Sequence, residues 1–367
     1  MLRSSQRYYS FVNPRQFALP SDPRVVMRVS GCAALLKEVR IGQAFLASIL
    51  TNPDLHWHRR IVTGGRSSRK GKQRICFVAS GELRWYQNRL WNLMRYILSV
   101  RNGHLLIAQE PCHLYRNIRT TQSSEGTDFP ATAYNTGCNV IRNARWHRHN
   151  QSSWCLDISG AFASIRMKHL YRFLLRKQFP PDLAWIICRM FTYNGGLPQG
   201  GPYSPFIYNL LMQRFDETVA AAIGAPTKTV TFHRAKLEGF PYSGPIYTRY
   251  GDDLCFSHPD EEFPDALKGT IDRVIREHHL ILNATKTREG RHGIMELPGV
   301  VIVHGRVRPP SAYVTRVCTA ADQGNLTSIQ RCGHRGYLLT FGRAGRLRCL
   351  RQRINLRSKP RYDQLPF

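Results

Sequence analysis

The segment IYTRYGDDLCFS, residues 246–257, places two adjacent carboxylates, Asp252 and Asp253, between two short apolar runs that read as strands. Gly251 precedes them and permits a tight β-turn, at whose tip the side chains project together. Hard divalent cations prefer clustered oxygen ligands, and phosphoryl-transfer enzymes hold two such ions about 3.5–4 Å apart between carboxylates. An isolated Asp-Asp pair is usually a solvated turn, so the prediction of a metal-binding hairpin depends on the neighbouring segments.

A third carboxylate precedes this pair in SSWCLDISGAFASI, residues 152–165, where Asp157 lies in a short apolar run. That run is predicted to be a strand from its alternating apolar residues, Trp154, Leu156 and Ile158. A glycine-containing bend follows and leads to Phe162. A carboxylate on a strand beside the hairpin would complete a site for two metal ions.

Between these carboxylate segments lies GGLPQGGPYSPFIYNLLM, residues 195–212. Its glycines and prolines predict an irregular loop. Ser204 and Pro205 then begin an amphipathic helix, because a proline at the first helical position has no amide hydrogen to leave unpaired.

Two more elements are predicted after the hairpin. LILNATKTREG, residues 280–290, predicts a strand that ends at Asn283, with Lys286 close behind. In the following ELPGVVIVHGRV, residues 296–307, Gly299 precedes a β-branched run that predicts a further strand.

This ordered set of segments resembles the polymerase core of reverse transcriptases, most closely the retron and group II intron branch, over roughly residues 55–355. The branch includes stand-alone mitochondrial reverse-transcriptase-like proteins. Asp157 matches the first catalytic carboxylate of the family, and Asp252 with Asp253 matches the acidic pair of the YxDD box. The resemblance assigns Tyr250 of that box to nucleic-acid binding.

The same resemblance assigns roles around the incoming nucleotide. Gln199 and Gly200 match the start of the QGxxxSP loop that lies along the incoming base. Phe162 matches the aromatic gate that stacks under the sugar and rejects a 2′-hydroxyl. Lys286 belongs to the N-x-x-K-T element, and Leu297 to Gly299 fall at the loop that grips the primer end.

RKGKQRICFVASGELRWYQNRLWNLMRYIL, residues 69–98, resembles the fingers motif, a basic hairpin followed by a helix. The resemblance places Arg74 on the triphosphate, with Lys72 and Lys70 adding positive charge. A planar guanidinium suits this role because it grips phosphate oxygens bidentately. The helix is predicted from one apolar stripe, Leu83, Leu90, Met94 and Ile97. The alternative for the cations is an ordinary solvated hairpin tip.

AYNTGCNVIRNARWH, residues 133–147, resembles the retron NAxxH signature through Asn143, Ala144 and His147, which predicts nucleic-acid contacts for Asn143 and His147. Two departures weaken the retron assignment but remove no catalytic group. Leu297-Pro298-Gly299 stands where retrons usually carry VTG, and Gly251 stands where Ala is commoner.

The chain is strongly basic, with 53 Lys and Arg against 24 Asp and Glu among 367 residues and a net charge of +29. Such an excess is typical of proteins that hold polyanions, and the absence of an apolar run near 18 residues disfavours a membrane partner. Within residues 331–367, an apolar helical stripe is flanked by cations that we assign to nucleic-acid binding, Arg346, Arg351 and Arg353. The alternative is a solvated basic tail.

The predicted fold class is therefore α+β, a right-hand polymerase with fingers, a palm of antiparallel sheet plus helices, and a small, helical, basic thumb. Its predicted parts are an N-terminal extension of unknown role (1–54), fingers (55–150), palm (151–308) and thumb (309–367).

Ten cysteines lie scattered without a C-x-x-C pair, which disfavours structural zinc and indicates a reducing compartment. The first 21 residues contain Arg3, Arg7 and Arg15 but no acid, a composition compatible with a mitochondrial transit peptide or with a basic nucleic-acid-binding arm. We predict a mitochondrial location, with the bacterial cytoplasm as the alternative.

The resemblance implies an RNA-directed DNA polymerase whose catalytic and metal-binding residues are Asp157, Asp252 and Asp253. It implies two Mg²⁺ ions, with Mn²⁺ as an alternative. The partners would be an RNA template, a DNA or RNA primer, deoxynucleoside triphosphates and, in some members, a dedicated structured RNA. The alternatives are a non-catalytic, maturase-like splicing protein, which all three carboxylates argue against, and an antiviral retroelement effector.

Overall fold

The computed structural model describes residues 40–63, 73–102, 133–134, 139–225 and 244–341. The helices are α1 (Gln43–Thr51), α2 (Gly81–Asn102), α3 (Val140–His147), α4 (Ala161–Ser164), α5 (Met167–Arg176), α6 (Pro181–Phe191), α7 (Ser204–Ala222), α8 (Asp265–Glu277), α9 (Ser311–Asp322) and α10 (Ser328–Leu339). The strands are β1 (Trp57–Thr63), β2 (Gln73–Ala79), β3 (Ser152–Asp157), β4 (Ile246–Tyr250), β5 (Asp253–His258), β6 (Arg288–Gly290), β7 (Ile294–Leu297), β8 (Val300–Val303) and β9 (Arg306–Arg308).

These elements fall into two compact units. Among the described residues, those up to 102 together with 165–207 form the first unit, and the others form the second. This division follows packing within the chain, and the predicted boundaries at 54, 150 and 308 remain predictions.

The first unit contains the predicted basic hairpin, in which β1 and β2 pair antiparallel from Trp57 opposite Ala79 to Thr63 opposite Gln73. Helix α2 follows and buries the predicted stripe through Leu83, Leu90 and Met94, none of which is exposed. The polar residue between them, Gln87, is buried too, because its Nε2 donates to the Met190 carbonyl at 2.6 Å. The predicted hairpin and helix are confirmed.

The second unit is built on a four-stranded antiparallel sheet in the order β4-β5-β3-β6. Strand β3 is buried along its whole length, and the predicted strands on either side of Asp252–Asp253 are β4 and β5. The antiparallel sheet plus helices that the sequence predicted is confirmed.

A smaller three-stranded sheet, in the order β7-β8-β9, follows in the same unit. Strands β7 and β8 join through Pro298 and Gly299, with Leu297 opposite Val300 and Gly299 at φ 71°. This is the Pro-Gly pattern of a type II turn, in which the third residue needs a positive φ. One apolar cluster joins this sheet to α3 and the four-stranded sheet, formed by Ile141, Ala144, Cys155, Cys255, Met295, Leu297, Val300 and Ile302.

The prediction of a strand that ends at Asn283 is wrong. In its place the chain makes a single antiparallel bridge, Ile158 with Leu282, and then a 3₁₀ turn, Ala284–Lys286, before β6 begins at Arg288. The turn interrupts pairing with β3 because its residues form local hydrogen bonds, with the Lys286 amide donating to the Asn283 carbonyl at 3.0 Å.

Candidate active site

The Asp252–Asp253 pair lies at a two-residue hairpin turn between β4 and β5, where Tyr250 pairs with Asp253. The φ angle of Gly251 is 69°, whereas the φ angle of Asp252 is negative. That combination is typical of a type II′ turn, which takes glycine at its first central position. A Cβ at residue 251 would also lie 3.3 Å from the hydroxyl of Tyr134. The positive φ therefore favours glycine at this position, and any larger residue would also crowd Tyr134.

The third carboxylate lies directly beside this turn. In the β3–β5 ladder Asp157 is opposite Asp253, and the Ile158 amide donates to the Asp252 carbonyl at 2.9 Å. Residues opposite each other across an antiparallel pair have Cβ atoms about 4.5–5.5 Å apart on the same face. The fold thus brings the three predicted carboxylates to one end of two neighbouring strands.

The 3₁₀ turn that replaces the predicted strand places Lys286 on Asp157. The Asn283 amide donates to the Asp157 carbonyl at 2.8 Å, which fixes the start of the turn against the end of β3. The Lys286 Nζ then lies 2.6 Å from Asp157 Oδ1, and that carboxylate is only 6% exposed. Lys286, predicted to bind nucleotide, is in this structure the counter-ion of a predicted catalytic residue.

Asp253 has a counter-ion of its own in Arg288, whose Nη2 lies 3.2 Å from Oδ1. Burial first, and the negative charge of Asp252 second, raise the pKa of Asp253 to about 6, although Arg288 opposes the shift. A carboxyl group shifted in this direction is stabilised in its ionised form by added positive charge. Because burial is the larger cause, the raised pKa indicates a poorly solvated carboxyl group whose ionised form a bound cation would favour.

This donor set fits a divalent cation, because carboxylate oxygens from neighbouring strands are the ligands that Mg²⁺ and Mn²⁺ prefer. Across the part of the chain that the structure describes, no group of three or more His, Cys, Asp and Glu residues is arranged to hold a metal ion as it stands. In this structure Lys286 and Arg288 each pair with one oxygen of Asp157 and of Asp253, respectively.

Beneath the turn lies a buried ionic network that the sequence did not reveal. Arg249 of β4 is completely buried, and its Nε and Nη2 donate to the carboxylate of Asp216 on α7 at 2.8 Å each. Its Nη1 donates to Asn209 Oδ1 at 2.8 Å and to the Gly251 carbonyl at 3.2 Å. Burial opposes the charge of Arg249, but Asp216 more than offsets it and raises the pKa.

Arg249 thus ties the backbone of the turn that carries Asp252 to helix α7. Tyr247 reinforces the same acceptor, since its hydroxyl donates to Asp216 Oδ1 at 2.7 Å. The sequence carried one signal of this network, because Asp216 is the lone acid on a helical stripe that is otherwise Tyr208, Met212 and Ala220. Only the fold identifies its partner.

Phe162 lies on the short helix α4 just after Asp157, and its ring is only partly buried. The ring centroid lies 5.4 Å from that of Tyr208, a residue that is almost fully buried. Phe162 is therefore supported from behind by an aromatic side chain while keeping an accessible surface.

In the first unit, the predicted Gln199–Gly200 loop lies against β2. The Phe77 amide donates to the Gln199 carbonyl at 2.7 Å, and a Cβ at Gly200, whose φ is 95°, would lie 3.0 Å from the Cβ of Cys76. Arg74 is exposed on the same strand two residues before Cys76, and so on the same face. The loop and Arg74 are therefore neighbours on one side of the hairpin.

The predicted nucleic-acid contacts of Asn143 and His147 disagree with the structure, because both side chains are completely buried. The two ring nitrogens of His147 lie 2.8 Å from Ser257 Oγ and 2.8 Å from Thr248 Oγ1. Burial lowers the pKa of His147 to about 3, so the ring is neutral at physiological pH. These residues pack α3 onto the sheet.

Five predicted site residues remain: four are not described by the structure, and one is. Lys72, Arg346, Arg351 and Arg353 fall outside the described residues. Tyr250 is described, half-buried at the end of β4.

A family model described as reverse transcriptase (RNA-dependent DNA polymerase) matches residues 71–302. The match covers well over half of the chain and contains all three carboxylates. The chain belongs to the reverse transcriptase family, and the predicted family is confirmed.

Its curated relatives are bacterial retron reverse transcriptases. The chain is 27% identical over 172 residues to the retron Se72 enzyme of Salmonella heidelberg, covering 44% of this chain and 40% of that protein. It is 25% identical over 218 residues to the retron Ec83 enzyme of Escherichia coli, covering 54% and 64%. The chain thus matches less than two thirds of the length of each.

Solved structures of telomerase also align with this chain. That of Candida albicans, bound to a telomeric RNA fragment, aligns with 81% of this chain and 54% of its own at 10% identity and a TM-score of 0.42. The apo enzyme of Candida tropicalis aligns with 85% and 60% at 12% identity and the same score. Likeness at this level carries no functional information.

The relatives do not support the predicted mitochondrial location, because they come from bacteria. Their origin fits the alternative prediction, the bacterial cytoplasm. Within the described residues, no helix has the length and apolar character that crossing a bilayer requires.

Proposed function

We propose that this protein is an RNA-directed DNA polymerase that extends a primer with deoxynucleotides. The observation that carries the proposal is the register of Asp157 opposite Asp253, with Asp252 at the adjoining turn, in a chain of the reverse transcriptase family. Because three acids converge at one end of the neighbouring strands β3 and β5, the non-catalytic maturase-like alternative loses support.

Asp157, Asp252 and Asp253 would hold two Mg²⁺ ions, with Mn²⁺ as the alternative. When bound, such ions lower the pKa of the primer 3′-hydroxyl and neutralise the triphosphate and the leaving pyrophosphate. Lys286 and Arg288 keep the carboxylates of Asp157 and Asp253 in place until then, through their ion pairs.

The remaining roles follow the family pattern. Arg74, with Lys72, would orient the triphosphate, and Gln199 with Gly200 would shape the pocket for the base. Phe162 would select deoxyribose. Tyr250, which pairs with Asp253, would contact nucleic acid beside the carboxylates. The exposed positions of Arg74 and Gln199 support these assignments.

The proposed partners are an RNA template, a DNA or RNA primer, deoxynucleoside triphosphates and a dedicated structured RNA, as the retron relatives favour. The proposed location is the bacterial cytoplasm. Extension of a labelled DNA primer on an RNA template by purified protein, with and without Mg²⁺, tests the activity. Absence of product from folded, RNA-bound protein would overturn it.

Replacing Phe162 with Ala is expected to admit ribonucleotides while largely retaining deoxynucleotide incorporation. Truncating a gate removes a clash that exists only with ribose, so the ratio of the two activities changes. Single-nucleotide extension with dNTP and the matching NTP measures that ratio, beside a thermal melt.

The control for this variant is Phe173→Ala, which truncates a buried ring on α5. A core truncation costs about 3–5 kcal/mol of stability and lowers both activities together. If the Phe162 variant behaves like this control, Phe162 is a core residue and the gate lies elsewhere.

Simultaneous substitution of Arg346, Arg351 and Arg353 by Ala is expected to weaken primer–template binding in a salt-dependent way. Each phosphate contact contributes roughly 0.7–0.9 to the slope of log affinity against log salt, so that slope should fall by up to about three. Titrations at several salt concentrations measure it. An unchanged slope would identify the segment as a free tail and remove the thumb assignment.

A further inference from the structure

Helix α5 carries a row of cations along its outward side. Lys168, Arg172 and Arg176 are all exposed and are spaced four residues apart, so they lie one above another on the helix. The inward side is buried through its apolar residues, Leu170, Phe173 and Leu174. The helix forms because of this buried side, and its cations are left in water.

Residues 158–181 contain neither Asp nor Glu, and the first acid after α5 is Asp182 at the start of α6. Like charges four residues apart repel each other, so the row does not stabilise the isolated helix. The ring of His169 lies within the same field: burial first, and then Lys168, Arg172 and Arg166, lower its pKa. The outward side of α5 is therefore a concentrated positive surface.

An aromatic pair lies beside the cations. Trp185 of helix α6 is 44% exposed, and its ring meets that of Tyr171 edge to face, with centroids 6.3 Å apart. The rings fix each other's orientation and leave much of the tryptophan open to solvent. An aromatic face beside cations is the combination that proteins use to bind single strands, by base stacking and phosphate contacts.

We propose that this surface, formed by Lys168, Arg172, Arg176, Tyr171 and Trp185, is a second RNA-binding site that takes single-stranded RNA. It lies within the first unit and contains none of the predicted catalytic residues. The row spans about 12 Å at 1.5 Å per residue, enough for consecutive phosphates, while Trp185 offers a stacking platform for a base. RNA fits better than an anionic membrane, because the outward side presents only Leu175 as an aliphatic residue among the cations.

The proposal rests on the proposed function, since it adds a contact for the RNA that the polymerase uses. Its test compares two double variants of exposed arginines. The α5 pair combines Arg172→Ala and Arg176→Ala, and the matched α8 pair combines Arg273→Ala and Arg276→Ala. The α8 pair lies among acids of its own helix, Asp265, Asp272 and Glu277. Binding of an unstructured uridine homopolymer is measured by fluorescence anisotropy at several salt concentrations, with a thermal melt of each variant.

The α5 pair should lower the slope of log affinity against log salt by about 1.4, at about 0.7 per phosphate contact of a single strand, while the α8 pair leaves it unchanged. Trp185→Ala should weaken binding roughly tenfold with little change in slope, because stacking is uncharged. Equal slopes for both arginine pairs would overturn the proposal. Loss of binding to anionic phospholipid vesicles, with RNA binding intact, would overturn it in favour of a membrane.

Primer extension by the wild-type protein separates this proposal from the proposed function. If wild type extends a short primer but the α5 pair keeps the wild-type salt slope, only the second surface fails. If wild type shows no extension and the α5 pair still lowers the slope, the surface stands and the polymerase assignment fails.

Discussion

Replacing Asp252 with Asn is expected to abolish DNA synthesis while leaving folding and RNA affinity close to wild type. The side chain is exposed at the tip of the turn, and the backbone contact of residue 252, from the Ile158 amide, does not involve it. An amide cannot supply the anionic ligand that a carboxylate gives a divalent cation. The loss should amount to several kcal/mol of transition-state stabilisation, or at least ~10³ in rate.

Single-nucleotide extension on an RNA template measures this loss, while a thermal melt and an RNA titration report on folding and binding. Asp260→Asn is the matched control, since Asp260 is also an exposed acid just beyond the other end of β5. It should extend the primer normally. Equilibrium binding of Mn²⁺ should weaken in the Asp252 variant but not in the control. Wild-type-like extension by the Asp252 variant would falsify the assignment of the site.

Replacing Arg249 with Met is expected to destabilise the protein by about 3–5 kcal/mol, because Asp216 is left as a buried charge without its partner. Adding Asp216→Asn should recover much of this loss, since the buried charge is gone and the amide oxygen still accepts from Tyr247. Unfolding in urea with each variant measures both effects. If the Arg249→Met variant alone is as stable as wild type, the Arg249–Asp216 ion pair does not stabilise the fold.

The double variant separates folding from positioning. It still lacks the hydrogen bond from Arg249 to the Gly251 carbonyl, so the turn that carries Asp252 is held less firmly. We expect kcat to fall roughly 10–100-fold, as for a small misplacement of reacting groups, with RNA affinity unchanged. Ile271→Ala on α8 is the control, because it removes buried apolar volume without touching the turn. Wild-type turnover in the double variant would restrict Arg249 to a structural role.

Local pattern was enough to predict several strands and the helices α2 and α7. The apolar runs around Asp157 and Asp252–Asp253 became β3, β4 and β5, and Ser204 with Pro205 began α7 as predicted. These elements follow from alternation, turn residues and helix-start signals, each of which acts over a few residues.

Local pattern failed where tertiary contacts decide. Residues 280–283 have strand-like composition, yet they form only one bridge, and the 3₁₀ turn that follows them places Lys286 on Asp157. The family signature that includes Asn143 and His147 predicted contacts with nucleic acid. The fold instead buries both side chains between α3 and the sheet, where His147 bonds to two strands.

The sequence by itself therefore determined the α+β class and the family, and it singled out the three acids that are proposed to be catalytic, since these depend on local spacing and on ordered motifs. The tertiary structure alone decided the pairing of Asp157 with Asp253, the counter-ions Lys286 and Arg288, and the union of Arg249 with Asp216. The reason is physical: a buried charge needs a partner, and that partner comes from whichever distant segment the folded chain places within hydrogen-bonding distance.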